Sequence, residues 1–293
     1  MLGLVVCGRG PDWNDMALHR ACRRVLGSSR IVRACDLSAY VGPDGIRFWH
    51  GSGELAVPDA CFLRSLGPGT YEQLVARLAV LEAMEEAGAL VVNPALAAWR
   101  ARDKFSTILT LRKAGFAVPK TYITESSMLA YSFCSSMEEF IYKPITGSLG
   151  FGAMRFSDRD LAFNIFRLLE QHYPLYLQEF LREVERELRV FVLSGRVVAC
   201  AEKVGLPGAW RRNVAQGGRM LKAEVAPELE EMCVRACELL GLIYAGIDVL
   251  EARSGHYVAL EVNSAPNWRR LQEATGIDVA QLLAQEVAER IRR

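Results

Sequence analysis

Residues 245–266 read AGIDVLEARSGHYVALEVNSAP. Two runs of alternating apolar pattern flank Ser254-Gly255, a two-residue turn signal, so the segment is predicted to form a β-hairpin. In that register Asp248 lies directly across from Glu261, and Asn263 lies on the same face. Ile247, Val249, Leu260 and Val262 then point to the other face. Like charges opposed across two strands repel, and a shared divalent cation removes that cost. Oxygen ligands in this number suit Mg²⁺, which takes one or two carboxylates and completes its shell with water and phosphate. A solvated hairpin face carrying acids by coincidence is the plainer alternative.

Upstream, YKPITGSLGFGAM (142–154) places Lys143 at the end of an apolar strand, ahead of Gly147, Ser148, Gly150 and Gly152. Such a loop brings backbone N–H groups against phosphates without Cβ obstruction, and the lysine adds a point charge. It is neither a Walker A loop nor a GxGxxG turn, and an ordinary hairpin loop fits equally well. Gln178-Glu179-Phe180-Leu181 follows another apolar strand. ERELRVFV (185–192) then sets Glu187 and Arg189 on one strand face, suited to ribose hydroxyls and phosphate oxygens or to a surface ion pair. Arg211-Arg212-Asn213, ahead of Gln216-Gly217-Gly218, reads either as a holder of a phosphoryl group or carboxylate or as a charged solvent loop.

The rest of the chain bounds these segments. Its 293 residues, 51% hydrophobic and 24% charged, have globular proportions and a length for about two domains, each able to bury a core. Lys plus Arg (35) balances Asp plus Glu (34), leaving a net charge of +1, which speaks against bulk nucleic-acid or anionic-membrane binding. No apolar run approaches the roughly 20 residues of a spanning helix, and MLGLVVCGRGPDWND lacks a secretion signature, so a cytoplasmic chain is expected. The 8 cysteines form no CxxC pair, and the 4 histidines lie far apart. Free thiols are therefore expected, and no zinc site, although Cys233 and Cys237 are suitably spaced on a helix. Strands at 2–7 and 30–35, helices at 15–26 and 71–87, and ALVVN before Pro94 predict a parallel doubly wound sheet for 1–94, with a Gly- and Pro-rich stretch at 42–58. Beyond 95 the pattern is α+β. It comprises a helix over 103–114, a strand over 138–144, a hairpin turning at Ser194-Gly195, and helices over 227–240 and 278–292.

Taken in order, RDK (102–104), YKPITGSLGFG (142–152), LQEFL (177–181), ERELR (185–189), RRNVAQGG (211–218), GIDVLE (246–251) and EVNSAP (261–266) resemble the ATP-grasp superfamily, and within it the RimK-like α-L-glutamate ligases. The resemblance implies an ATP-grasp fold of mixed α/β and α+β class. It comprises an N-terminal parallel α/β (pre-ATP-grasp) domain over 1–94 and two α+β subdomains, 95–180 and 181–293, clasping ATP. A substrate cleft faces the N-terminal domain. It implies phosphate contacts from Lys104 and Lys143, with Gly147, Ser148, Gly150 and Gly152 closing over them. The backbone of Gln178, Glu179, Phe180 and Leu181 is to meet adenine, and Glu187 the ribose. Arg189 and Arg211 are to face the phosphates, Asn213 a metal or phosphate neighbour. Asp248, Glu261 and Asn263 are to carry one or two Mg²⁺, or Mn²⁺. Lys143, Arg189 and Arg211 are the implied catalytic cations.

The implied reaction is ATP-dependent carboxylate–amine ligation through an acyl phosphate, which needs no protein nucleophile. After EVN this chain carries Ser264-Ala265-Pro266-Asn267-Trp268-Arg269-Arg270 where the family has a small residue, Ser-Pro-Gly and an aliphatic. Leu206 to Trp210 is a second departure. These changes make Trp210, Arg212, Asn267, Trp268 and Arg269 candidate substrate residues for an anionic or ring-containing acceptor. The two tryptophans either stack on a ring or pack under a lid. The expected acceptor is a small coenzyme precursor such as a pterin-type C1 carrier, extended by L-glutamate or a similar amino acid. The alternatives are a protein or carrier-protein tail, or a non-catalytic nucleotide-binding regulator, against which the retained acids, lysines and arginines speak. The expected partners are small-molecule carboxylate and amino-acid substrates, with no nucleic acid or membrane, and family members form dimers or tetramers. A dinucleotide oxidoreductase is a weak reading, because Gly8-Arg9-Gly10 is followed by Pro-Asp-Trp and no third glycine.

Overall fold

The computed structural model describes residues 1–145, 152–206 and 218–293. Leu2–Cys7 is apolar on both faces and forms a central strand of a parallel sheet, as the continuous run LGLVVC predicts. The strand order is Ser28–Arg33, Leu2–Cys7, Ala60–Leu63, Leu90–Val92, all parallel. Helix Trp13–Leu26 opens on a capping box between Asp12 and Asp15, and helix Tyr71–Glu86 on one between Thr70 and Gln73. The stretch read as Gly- and Pro-rich, 42–58, supplies two strands, Gly45–His50 and Gly53–Leu55, of a three-stranded antiparallel sheet whose first strand, Leu37–Gly42, precedes it. It lacked a period-2 signal because its side chains are largely solvated, with Leu37, Phe48 and Leu55 reaching the core.

Helix Lys104–Lys113 starts at Asp103, whose carboxylate accepts from the amides of Phe105 (2.9 Å) and Ser106 (3.3 Å). An antiparallel sheet follows, in the order Met154–Phe156, Phe140–Lys143, Leu175–Glu179, Thr121–Thr124. Helices Ser127–Cys134 and Arg159–Leu169 accompany it, the second covering Phe140 and Phe156 with Phe166.

A five-stranded antiparallel sheet forms the last layer, in the order Arg219–Lys222, Arg196–Val204, Val184–Leu193, Tyr244–Ala252, Tyr257–Asn263. Ser194 (φ 48°) and Gly195 (φ 76°) form the expected two-residue turn. The other hairpin departs from expectation in two ways that cancel. Its loop has three residues, Arg253-Ser254-Gly255, with Gly255 at φ 84° and Ala252 N–H donating to His256 O at 3.0 Å. That shifts the register by one, so Val249 faces Ala259. A bulge at Leu260 shifts it back, and Asp248 faces Glu261. Leu260 is consequently half-buried, and Ala259 takes the core place expected of it.

The closing helix Val279–Arg292 returns to pack on Trp13–Leu26 in one core containing Leu18, Cys22, Phe191, Tyr244, Trp268 and Leu283. The N-terminal sheet and the last layer therefore share this core across their junction, while each also buries one of its own, around Leu4, Leu63 and Leu81 in the first and around Val190, Ile247 and Leu229 in the second. All eight cysteines are free thiols; Cys233 and Cys237 lie in the core under the five-stranded sheet. No helix among the described residues is long and apolar enough to cross a membrane.

Trp268 is 0% exposed, edge-on to Phe191 and under the Arg64 guanidinium at 4.4 Å. Trp268→Ala is expected to cost about 3–5 kcal/mol in urea unfolding; a loss under about 1 kcal/mol would contradict this packing.

Candidate active site

Strand alternation gathers the polar groups of the five-stranded sheet on one face, while Leu188, Val190, Ile247, Val249 and Val262 fill the core on the other. Arg189 is registered directly opposite Asp248, and Asp248 opposite Glu261. The Arg189 guanidinium donates through Nη2 to Asp248 Oδ2 (2.9 Å), and its Nε lies 2.5 Å from Oδ1. Lys203 Nζ bridges Asp248 Oδ2 (2.7 Å) and Glu187 Oε1 (2.9 Å). Burial alone favours a protonated Asp248 carboxyl, but the charges of Arg189 and Lys203 outweigh it and hold it below the usual carboxylate range. Burial likewise pulls Lys203 down, and the carboxylates of Asp248 and Glu187 more than reverse it.

Lys203 escaped the sequence reading. Its only signal was parity: a lysine two residues beyond buried Ala201 on an apolar strand belongs to an inward row.

The donor set suits a hard cation. Asp248 Oδ1, although close to Arg189 Nε, has no aligned hydrogen bond, and neither has that Nε. This buried carboxylate oxygen thus faces a guanidinium nitrogen without an aligned hydrogen bond, on a residue registered directly opposite Glu261. Asn263 donates its amide N–H to Glu261 Oε1 (3.1 Å), which leaves its carbonyl oxygen as a donor to metal. Among the described residues no group of three or more His, Cys, Asp or Glu side chains is clustered for a metal, so phosphate and water would have to complete the shell. Gly246 belongs to the same face. A Cβ there would sit 2.7 Å from Pro266 Cβ and 2.9 Å from Arg189 Nη1, so a side chain is excluded.

The antiparallel sheet supplies the opposing groups. Lys143 Nζ donates to Gln178 Oε1 (2.5 Å), and burial pushes its pKa down, partly offset by Glu261. Gln178 is itself anchored by Thr121 Oγ1 (3.2 Å). Lys104, similarly lowered by burial, donates to Pro144 O (3.0 Å) at the root of the glycine loop. Gly152 (φ 75°) closes that root: a Cβ would lie 2.9 Å from Pro144 Cγ. The N–H groups of Glu179 and Phe180 bond Lys120 O (2.9 Å) and Glu139 O (3.0 Å). Among the described residues the N–H of Leu181 has no acceptor, so of these hinge amides it alone is open to a base edge. Gly147, Ser148, Gly150, Trp210, Arg211, Arg212 and Asn213 lie outside the described residues.

The expectation for Trp268 is corrected: no ring face is left for a substrate. Asn14 explains why. Its side chain accepts from the amides of Trp268 (3.0 Å) and Arg269 (3.1 Å) and donates to Asn267 Oδ1 (3.1 Å), turning this segment onto the N-terminal helix. Arg269 is exposed and pairs with Glu273.

Two further residues missed by the sequence reading tie the N-terminal sheet to the hairpin that carries Asp248 and Glu261. Asn93 Oδ1 accepts from Ile243 N (2.7 Å) and Tyr244 N (3.0 Å), while its Nδ2 donates to Tyr244 O (2.8 Å) and Ser264 O (2.6 Å). Arg64 donates to Pro266 O (3.0 Å) and to Tyr244 OH (3.2 Å) and pairs with Asp15. Each was a polar residue set in an apolar run, which is the signal that could have found it.

A sheet pair that opposes lysines to a carboxylate face is the architecture of the ATP-grasp ligases. A family model described as the RimK-like ATP-grasp domain matches residues 101–287, and the chain belongs to that family. Tetrahydromethanopterin:alpha-L-glutamate ligase of Methanocaldococcus jannaschii is 31% identical over 99% of both chains. A probable alpha-L-glutamate ligase of Legionella pneumophila is 31% identical over 69% of this chain and 68% of its own. Among solved structures, the ATP-grasp ligase PsnB complexed with a minimal precursor superposes at TM-score 0.79 and 24% identity, covering 98% of each chain. D-cycloserine synthetase DcsG does so at 0.74 and 19%, covering 99% of this chain and 100% of its own. The chain is an ATP-grasp ligase, a class that uses ATP and Mg²⁺.

Replacing Lys203 by Met would leave Glu187 and Asp248 facing each other without their shared cation. Lys203→Met is expected to lose about 3–5 kcal/mol of stability in urea, and Mg²⁺ is expected to raise its melting temperature more than that of the wild type. Equal Mg²⁺ shifts in the two proteins would refute the idea that lysine and metal act on the same carboxylate.

Proposed function

We propose that this ligase extends a carboxylate of a pterin-type coenzyme precursor with L-glutamate, consuming ATP. The observation that carries the reading is the face on which Asp248, Glu261 and Asn263 stand beside Arg189 and Lys203. The acceptor and amino acid follow from the relatives named tetrahydromethanopterin:alpha-L-glutamate ligase, one of which aligns over nearly the whole chain.

In the proposed reaction an acceptor carboxylate oxygen attacks the γ-phosphorus, and the bond from that phosphorus to the β-phosphate bridging oxygen breaks. ADP and an acyl phosphate result. The amine of glutamate then attacks the acyl carbon, the C–O bond to phosphate breaks, and the nitrogen loses a proton to solvent. Amide, ADP and phosphate are the products. The Asp248, Glu261 and Asn263 oxygens would hold one or two Mg²⁺, which when bound offset the triphosphate charge. Lys143 and Lys104 are assigned to the phosphates, and the 178–181 backbone to the adenine, with Leu181 N–H as its donor. Glu187 is assigned to the ribose. Arg189 serves by holding Asp248 ionised and oriented. Positioning of this kind contributes on the order of 7–11 kcal/mol when the reacting atoms are held in line.

The test is incubation with MgATP, isotope-labelled amino acids, and either tetrahydromethanopterin or a small-molecule cell extract, followed by mass spectrometry. A labelled glutamyl amide formed with ADP, and absent with Glu261→Ala and Lys143→Ala, is expected. Product found only on a protein tail would overturn the small-acceptor reading. ATP binding with no ADP formed from any acceptor would overturn the ligase chemistry itself.

A further inference from the structure

A cleft of about 310 Å³ separates the loop after Ala60–Leu63 from the end of the metal-bearing hairpin. Glu261, Asn263 and Lys104 line one part of it, and Trp99 and Arg102 another. Two guanidinium groups border this space, and they are in opposite situations. Arg64 is saturated, bonded to Asp15, Tyr244 OH and Pro266 O and laid over Trp268. Arg102 is half-buried, and burial pulls its pKa down, yet among the described residues no carboxylate pairs with it. Residues 146–151 and 207–217, outside the described set, contain no Asp or Glu. The Arg102 guanidinium carbon lies over the ring of Trp99, 5.5 Å from the centroid.

A partly desolvated guanidinium without an acid is costly to keep, and a planar fork is the group best shaped to take a carboxylate. The loop that carries it is held in place: Arg102 N–H donates to Trp99 O (3.1 Å), and Asp103 caps the next helix. Arg102 is therefore presented to the cleft from a fixed backbone, two residues ahead of Lys104, the first residue of the helix that Asp103 caps.

We propose that Arg102, backed by Trp99, binds a carboxylate of the acceptor and so determines that this ligase takes an anionic, ring-bearing substrate. The proposal rests on the pterin–glutamate reading and adds to it the residues that select the acceptor. The guanidinium takes the carboxylate in a forked pair, and the indole face offers a stacking surface for the acceptor ring.

The test uses the full chain with MgATP, L-glutamate and tetrahydromethanopterin. Arg102→Gln is expected to raise the KM for tetrahydromethanopterin about 10- to 100-fold, the span of one charge-assisted pair, while the KM for ATP and the Kd for ADP stay within about twofold. Arg102→Lys, which keeps the charge and loses the fork, is expected to recover only part of the acceptor affinity. Trp99→Ala is expected to shift the same constant. Unchanged melting temperatures separate these effects from misfolding. If wild type and Arg102→Gln share one acceptor KM, or if the ATP constants shift in parallel with it, the assignment of Arg102 is wrong while the function stands. If the wild type forms no ADP with tetrahydromethanopterin, the pterin reading falls and this proposal falls with it.

Discussion

Asn93 is a wholly buried amide with all of its hydrogen-bonding capacity spent on the backbone around the hairpin that carries Asp248, Glu261 and Asn263. It belongs to the end of the parallel sheet, yet its partners are the backbone at Ile243 and Tyr244, where one hairpin strand begins, and at Ser264, just past the other. Remove it and buried backbone donors and acceptors lose their partners, each costing about 1–3 kcal/mol. Arg64 repeats the device from the neighbouring strand, reaching Pro266 O and Tyr244 OH. Both ends of the hairpin are thus set by side chains of the N-terminal sheet, and the closing helix returns to seal the same seam. The cleft lined by residues 63–67 on one side and 261–265 on the other takes its shape from this joint, so the N-terminal layer helps to set the surroundings of the hairpin's carboxylates.

The second constraint is electrostatic. Glu187, Asp248 and Glu261 share one sheet face with Arg189 and Lys203, and Lys143 approaches from the other sheet close enough to feel Glu261. Taking such charges out of water is costly unless they are paired; here Arg189 and Lys203 pair Asp248, and Lys203 pairs Glu187, while among the described residues Glu261 and Lys143 are hydrogen-bonded to the neutral amides of Asn263 and Gln178. Within the Arg189–Asp248 pair, Oδ1 and Nε are close without an aligned hydrogen bond. Charges fixed in this way by their partners are preorganised, which is the condition under which fixed charges assist a reaction most, and the proposed binding of metal and triphosphate at this face would use that property.

The sequence exposed the carboxylate pair because strand alternation and a turn signal suffice to oppose Asp248 and Glu261. That success was partly accidental, since a three-residue loop and a bulge at Leu260 each broke the assumed register and restored it together. Helices with caps at Asp103, Thr70 and Asp278 were legible for the same local reason. What stayed hidden depended on partners distant in sequence. Trp268 looked like a substrate platform because it follows the metal donors, but its direction is decided by Asn14, Phe191 and Arg64, hundreds of residues upstream in two cases. Lys203 was an unremarked lysine until Glu187 and Asp248 were brought to it by two different strand pairings.

Gly246 shows how far a motif can be understood from either side. In the sequence it is only the first letter of GIDVLE. In the fold it is the point where Pro266, held by Arg64, and the guanidinium of Arg189, held by Asp248, both close on one strand. A methyl group there would push apart the very side chains that orient the Asp248 carboxylate and fix the exit of the hairpin. The spacing of glycine to aspartate is therefore the trace in one dimension of a three-way contact among the N-terminal sheet, the cation that ionises Asp248 and the loop that leaves Asn263.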